Sequence, residues 1–279
     1  MVDYHIHTNH SIDAQGSLND YVERALALGL KEICFTNHCE LDEKRNDNLI
    51  RFNGNVMPIT RDALHKLQNE VLAQKELCKH RGLKVKFGIE VGFFDGIGER
   101  LKTLTDGLML DYILAGIHCL DHICIDSSKE CTTFFQRSDA KGLLEKYFKV
   151  MEILIRSELF DAVAHFDVYK KYGLNFYGPA IKIFDRDRIY HLFRLMAEYE
   201  LGLEINTAGW RRCNEFYPSD DFMNLAIEAG IEIITVGSDC HKLEDLSKGI
   251  KEAQTYARAH GFKRIYGFER RMRLPLDIL

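Results

Sequence analysis

The sequence predicts an α/β fold in which seven parallel strands alternate with helices, as a closed barrel or an open, doubly wound sheet. Short apolar runs recur along the 279 residues, separated by longer stretches with helical spacing. Connections of that length imply parallel pairing and right-handed crossovers. A histidine, aspartate or glutamate stands at or just past the end of nearly every run, and function in such folds gathers at the C-terminal strand ends. An open sheet has mainly one switch point, whereas in a barrel every strand can feed one central site.

The first strand falls at 2–6, within MVDYHIHTNH. Val2, Tyr4 and Ile6 would share one face, and Asp3, His5 and His7 the other. On its own, that is also what an edge strand with its polar face in water looks like. Ser17 then caps a helix at 18–28, which Gly29 stops. The second strand is expected at 32–36. The polar connection at 39–59 follows it and could lie over the active end as a lid. Thr60 opens a helix that runs to about His80 and closes at Gly82. Strands are then expected at 84–90, 112–117, 162–165, 202–205 and 231–237, and helices at 140–157, 187–199, 219–229 and 243–260. No GxGxxG follows an early strand and no GxxxxGK[ST] occurs, so nucleotide-fold signals are absent. No repeat or low-complexity linker divides the chain, and one domain is expected over 1–279.

Composition narrows the partners. The chain is 46% hydrophobic, enough at this length for one large core. A net charge of −5 gives no basic surplus for nucleic acid. No run of apolar residues is long enough to span a bilayer, and no basic segment with an apolar stretch opens the chain. A cytoplasmic protein without a membrane partner is expected. The eight cysteines form no CxxC pair and read as reduced thiols. Cys39, Cys119 and Cys240 stand beside histidines but read as small packing residues.

The strand ends carry the chemistry. They read DYHIH with His5 and His7, then SID with Asp13 in the loop beyond, CFTNH with His38, FGIE with Glu90, and AGIH with His118. VAH follows with His165 and nearby Asp167, LEIN with Glu204 and Asn206, and TVGSDCH with Asp239 and His241. Six of the 12 histidines fall on these positions. One HxH is a weak signal; this distribution is a strong one. Imidazole and carboxylate together favour Zn, Mn or Fe over calcium. Nine candidate groups exceed the four to six ligands, roughly, that one ion takes, so two to three divalent ions sharing bridging groups are expected. Gly88, Gly116 and Gly237 precede ligands and would allow close approach.

The order DxHxH, SxD, TxH, GIE, GIH, AH and GSDxH, spread from Asp3 to His241, resembles the polymerase-and-histidinol-phosphatase (PHP) superfamily. The resemblance implies a distorted (β/α)7 TIM-like barrel with a three-metal centre at the C-terminal strand ends. It places His5, His7, Glu90 and Asp239 on one ion. Glu90 would bridge to a second ion held with His118 and His165, and Asp13, His38 and His241 would hold a third. LEINTAGWRR at 203–212, YPS at 217–219, HFDVYKKYG at 165–173 and CFTNH are similar to the histidinol-phosphatase branch. Trp210 and Arg212 stand where leucine and lysine are usual there. The branch implies metal-assisted hydrolysis of L-histidinol phosphate to L-histidinol and phosphate, a step of histidine biosynthesis. Glu90, Asp239 and His241 are read as catalytic: Glu90 would bridge the two ions that supply the nucleophile, and Asp239, His241 or a metal-bound water could serve the leaving alkoxide. By the same resemblance Arg211, beside Arg212, would bind the small substrate's phosphate. Glu40, Asp42 or Asp167 could recognise its amine and imidazole. Two alternatives stay open: a phosphoesterase acting on another small phosphate monoester or nucleotide, and a metal-binding module without turnover.

Overall fold

The structure is a computed structural model and describes residues 1–278. Seven strands form one sheet in chain order: β1 (Val2–Ile6), β2 (Glu32–Glu40), β3 (Lys84–Gly92), β4 (Tyr112–Gly116), β5 (Ala162–Val163), β6 (Gly202–Asn206) and β7 (Ile234–Gly237). All neighbours run parallel. The two edges meet: the His7 N–H donates to the Cys240 carbonyl at 3.0 Å, and the Asp239 N–H to the His5 carbonyl at 2.8 Å. The sheet is therefore a nearly closed barrel with helices between its strands, and the open-sheet alternative is set aside.

The barrel is uneven. β2 and β3 stay in register from Glu32 opposite Lys84 to Glu40 opposite Gly92. β5 pairs through only Ala162 and Val163 on either side. It ends early because His165, expected within the strand, takes a φ of 27°, outside the extended region. β1 slips register against β2 between Asp3 and Ile6. Side chains take over the amides freed there: Asp3 Oδ1 accepts the His5 N–H at 3.3 Å, and Thr36 Oγ1 accepts that of Ile6 at 3.1 Å. Asp3 therefore does not join His5 and His7 on a polar face. Its carboxylate is spent on backbone, including the Ser238 N–H at 2.9 Å and the Ser247 N–H at 3.0 Å.

Local chemistry explains the helices. Ser17 and Asp20 form a capping box ahead of Leu18–Ala27. Thr60, Asp139 and Asp185 cap Arg61–Cys78, Ala140–Arg156 and Arg186–Glu198. The helix expected at 243–260 is shorter, Ile250–Ala259, because a 3-10 turn at Leu243–Asp245 and Gly249 at a φ of 87° precede it. The expected loop at 39–59 is largely ordered structure. β2 runs on to Glu40, and Leu49–Phe52 pairs with Asn55–Pro58 as a hairpin. A second hairpin, Arg264–Glu269 with Met272–Asp277, closes the N-terminal end. There the Phe268 N–H donates to the Tyr4 hydroxyl at 2.7 Å, and the rings of Tyr4, Tyr112 and Phe268 pack together. An aromatic floor thus lies opposite the end where the histidines and their carboxylates gather. No helix among the described residues is long and apolar enough to cross a membrane.

Candidate metal centre

Glu90, on β3, lies at the heart of the C-terminal end and is 1% exposed. Its Oε1 is 2.9 Å from His165 Nε2, 3.2 Å from His118 Nε2 and 3.4 Å from His5 Nε2. Its Oε2 is 2.8 Å from His38 Nδ1 and 3.4 Å from His7 Nε2. One carboxylate therefore meets five imidazoles from four strand ends. Asp239 Oδ1 lies 3.5 Å from His7 Nε2, 3.7 Å from His5 Nε2 and 3.5 Å from His241 Nδ1. A third cluster joins Asp13, His38 and His241: Asp13 Oδ2 is 3.1 Å from His241 Nε2 and 3.7 Å from His38 Nε2. The two imidazole nitrogens are 3.4 Å apart. The structure brings all nine sequence-selected groups to one place.

These spacings suit cations. Ligands about 2.0–2.1 Å from an ion stand roughly 3–3.5 Å from one another. His5 Nε2 and His7 Nε2 are 2.9 Å apart, a spacing that either a proton shared between them or an ion bound by both satisfies. Four triplets of ligand atoms converge: His5, His7 and Glu90; Glu90, His118 and His165; His7, His38 and His241; and His38, Glu40 and His118. No cysteine belongs to such a group among the described residues, and Cys39 and Cys240 are fully buried packing residues.

The electrostatics point the same way. Burial opposes charge on Glu90, yet His5, His118 and His38 hold its carboxyl well below the ordinary range. Burial likewise opposes the charge of Asp239, but His5, His7 and His241 depress its carboxyl. Against the same burial, Glu204 and Glu90 raise His5, Asp13 and Glu90 raise His38, and Glu90 and Glu40 raise His118. Burial and its neighbours His38 and His241 push His7 down, toward the neutral form that ligates. The centre attracts positive charge, whether proton or metal ion.

Glycine makes the crowding possible at two positions. A Cβ at Gly116 would come within 2.9 Å of His165 Cε1 and strike the His118 ring, and one at Gly237 would strike His5 and Glu204. Gly88 differs: its close neighbours are the Tyr112 carbonyl and Cys34 Sγ, which belong to the core.

Most of the expected substrate contacts already have partners within the fold. Arg211 does not present its guanidinium to the centre. Its Nη1 donates to Thr207 Oγ1 at 2.8 Å and to the Lys248 carbonyl at 3.3 Å, and its Nη2 to the carbonyls of Ser238 at 2.6 Å and Asp239 at 3.4 Å. Those donors clasp the loop after β7 instead of waiting for phosphate. Arg212 is exposed. Glu40 Oε1 is 2.7 Å from His118 Nδ1, so it supports a candidate ligand rather than facing a substrate amine. Asp42 is bonded to His122, and Asp167 is fully buried against Lys170.

Sequence reading missed Lys171 and Asp126. They follow β5 and β4, and Lys171 Nζ is 3.4 Å from Asp126 Oδ2. Burial lowers the Lys171 ammonium, but Asp126 and Asp239 more than reverse this. Burial also opposes the Asp126 charge, yet Lys171 and His118 hold its carboxyl at about 2. A lysine within HFDVYKKYG carried no positional signal beyond its neighbourhood to His165.

The PHP domain family model matches residues 3–208. A Deinococcus radiodurans protein named "Probable histidinol-phosphatase" is 30% identical over 245 residues, 87% of this chain and 86% of that protein. One of the same name from Clostridium acetobutylicum is 27% identical over 98% of both chains. The fold is shared with the crystal structure of Lactococcus lactis histidinol phosphate phosphatase complexed with zinc, L-histidinol and phosphate. That likeness has a TM-score of 0.79 at 22% identity, covering 98% of each chain. With its strand-end histidines and carboxylates inside the matched barrel, this chain belongs to the PHP domain family.

Proposed function

We infer that the protein is a metal-dependent phosphoric monoester hydrolase that converts L-histidinol phosphate to L-histidinol and phosphate. The observation that carries this is Glu90, whose two oxygens divide five imidazoles between them inside a PHP barrel. The names of the full-length relatives supply the substrate. Residues 1–278 are read as parts of one domain, since the hairpin at 264–277 packs on the floor of the same barrel through Tyr4.

His5, His7, Glu90 and Asp239 would hold one ion, Glu90, His118 and His165 a second, and Asp13, His38 and His241 a third. Divalent ions held there supply an acidified water and offset charge on the phosphoryl oxygens. The protein's own part is positional. Glu40 accepts from His118 Nδ1, which leaves Nε2 for the centre. Arg211 fixes the carbonyls of Ser238 and Asp239 and so the approach of Asp239 and His241. Lys171 donates to Asp126 and would have ammonium hydrogens left for a phosphoryl oxygen.

The test is phosphate release from a panel of histidinol phosphate, an aryl phosphate, AMP and a dinucleotide with added Mn²⁺. Histidinol phosphate should show the highest kcat/KM. Preference for AMP or another monoester would assign a different small phosphoester, and metal binding without release from any would leave a metal-binding module. A second expectation separates the two cations. Lys171→Ala should weaken inhibition by inorganic phosphate about tenfold, a loss of about 1.4 kcal/mol. Arg211→Ala should instead lower the unfolding free energy by about 1.5–3 kcal/mol, the worth of charge-assisted hydrogen bonds. The reverse pattern, read from inhibition constants and urea unfolding, contradicts this division.

A further inference from the structure

Glu204, on β6, is absent from every candidate ligand group among the described residues, yet it is buried to 1% exposure beside them. Its Oε1 is 2.7 Å from His5 Nδ1. Its Oε2 accepts the backbone N–H of His165 at 3.0 Å and Asn206 Nδ2 at 3.0 Å. Asn206 in turn reaches Asp239 Oδ2 at 3.3 Å, and its Oδ1 holds the Ala208 N–H at 2.9 Å. The bond to the His165 amide falls on the residue whose φ is 27°, a conformation bulky side chains rarely adopt without outside support. Gly237 leaves the space in which Glu204 meets His5.

Resting on the metal-binding reading above, we propose that Glu204 is a positioning residue for two metal subsites at once. Through Oε1 it fixes His5 as the Nδ1–H tautomer, and through Oε2 it holds the His165 backbone in its left-handed turn. A neutral imidazole has one donor nitrogen and one acceptor. A carboxylate only accepts, so Nδ1 must donate to it, and the Nε2 lone pair is left facing Glu90 and Asp239. His165 presents Nε2 to the same Glu90 oxygen from the other side. A single carboxylate thus orients one ligand by its ring and another by its main chain.

The chemistry makes Glu204→Gln a sharp probe, because it keeps the shape but replaces one acceptor with a donor. If the amide oxygen faces the His165 N–H and Asn206, the amide NH2 faces His5 Nδ1. His5 must then accept at Nδ1 and carry its proton on Nε2, and it ceases to be a ligand. If the amide is turned over, its NH2 meets two donors. Asn206 is not free to flip in response, since its Oδ1 holds Ala208 and its Nδ2 faces Asp239.

The experiment is dialysis of purified parent and Glu204→Gln protein against graded chelator, with bound zinc and manganese counted by elemental analysis. Thermal unfolding is recorded on the chelator-treated proteins. The variant should surrender an ion at about 10–100-fold lower chelator strength while unfolding near the parental temperature when metal-free. A purely structural role predicts the opposite: early unfolding with parental metal retention. Parental retention in the variant overturns the proposal. If Glu204→Gln does not fold, Glu204→Asp carries the test, since it keeps the charge but withdraws the carboxylate from His5. It too should lose an ion early, and full retention overturns the role of Glu204. A parent that binds no divalent metal contradicts the functional reading itself.

Discussion

Glu90→Gln is expected to lower kcat by about three orders of magnitude or more, a loss of about 4 kcal/mol in transition-state stabilisation. The substitution preserves volume in a fully packed site but removes the charge that five histidines surround. Its NH2 would also meet imidazole nitrogens where the carboxylate had an acceptor. Asp13 is a useful contrast. It lies at the rim, its side chain 60% exposed, and its carboxylate pairs with His38 and His241. Asp13→Ala should therefore cost only about 10–100-fold. Both values are to be read as kcat on an aryl phosphate in metal-saturated protein. Comparable losses would show that Glu90 does not join the subsites.

Asp167→Ala is expected to destabilise the protein by about 3–5 kcal/mol, the usual consequence of leaving one member of a buried ion pair alone. Asp167 is fully buried, with Oδ2 2.7 Å from Lys170 Nζ and 3.2 Å from the Ser219 N–H. Lys170, 4% exposed, also donates to Ser219 Oγ at 2.6 Å and lies 5.0 Å from the Phe222 ring centroid. Glu215 Oε2 also lies 3.8 Å from Lys170 Nζ, but it is a third exposed and paired with Lys182, so it offsets the loss only in part. Urea unfolding of metal-loaded protein measures the effect. The double variant Asp167→Ala, Lys170→Met should recover part of the loss, because it removes the stranded ammonium. A loss below about 1 kcal/mol in Asp167→Ala would mean the pair is solvated, as surface pairs are.

The residues at strand ends were legible because a closed barrel converts their one-dimensional spacing into convergence. His5, His38, Glu90, His118, His165 and Asp239 belong to separate strands or the loops just beyond them, and each was found from the run before it. The strands themselves were recovered, with errors where side chains override pattern. β5 stops short at the turned backbone of His165, and β7 begins at Ile234 rather than Ile231. The helix Lys170–Tyr177 and the hairpin Arg264–Glu269 with Met272–Asp277 were missed. The hairpin's turn is Arg270–Arg271, both at positive φ, and carries none of the glycine or asparagine that would announce it. Charged residues outside the ligand pattern were harder still. Arg211, Glu40, Asp42 and Asp167 all read as available, yet each is committed to another group in the fold. Sequence shows that a charge is present; only packing shows whether it is already spent.

The most direct measurement is phosphate release from L-histidinol phosphate by one preparation in three states: as purified, after chelator treatment, and after return of Zn²⁺ or Mn²⁺. Turnover by the purified protein, its loss on chelation and its recovery in proportion to bound metal are expected. The same cycle in Glu90→Gln should restore little. Unchanged turnover in protein shown by elemental analysis to be metal-free, or none at all in protein loaded with two to three ions per chain, would contradict a metal-dependent histidinol phosphatase centred on Glu90.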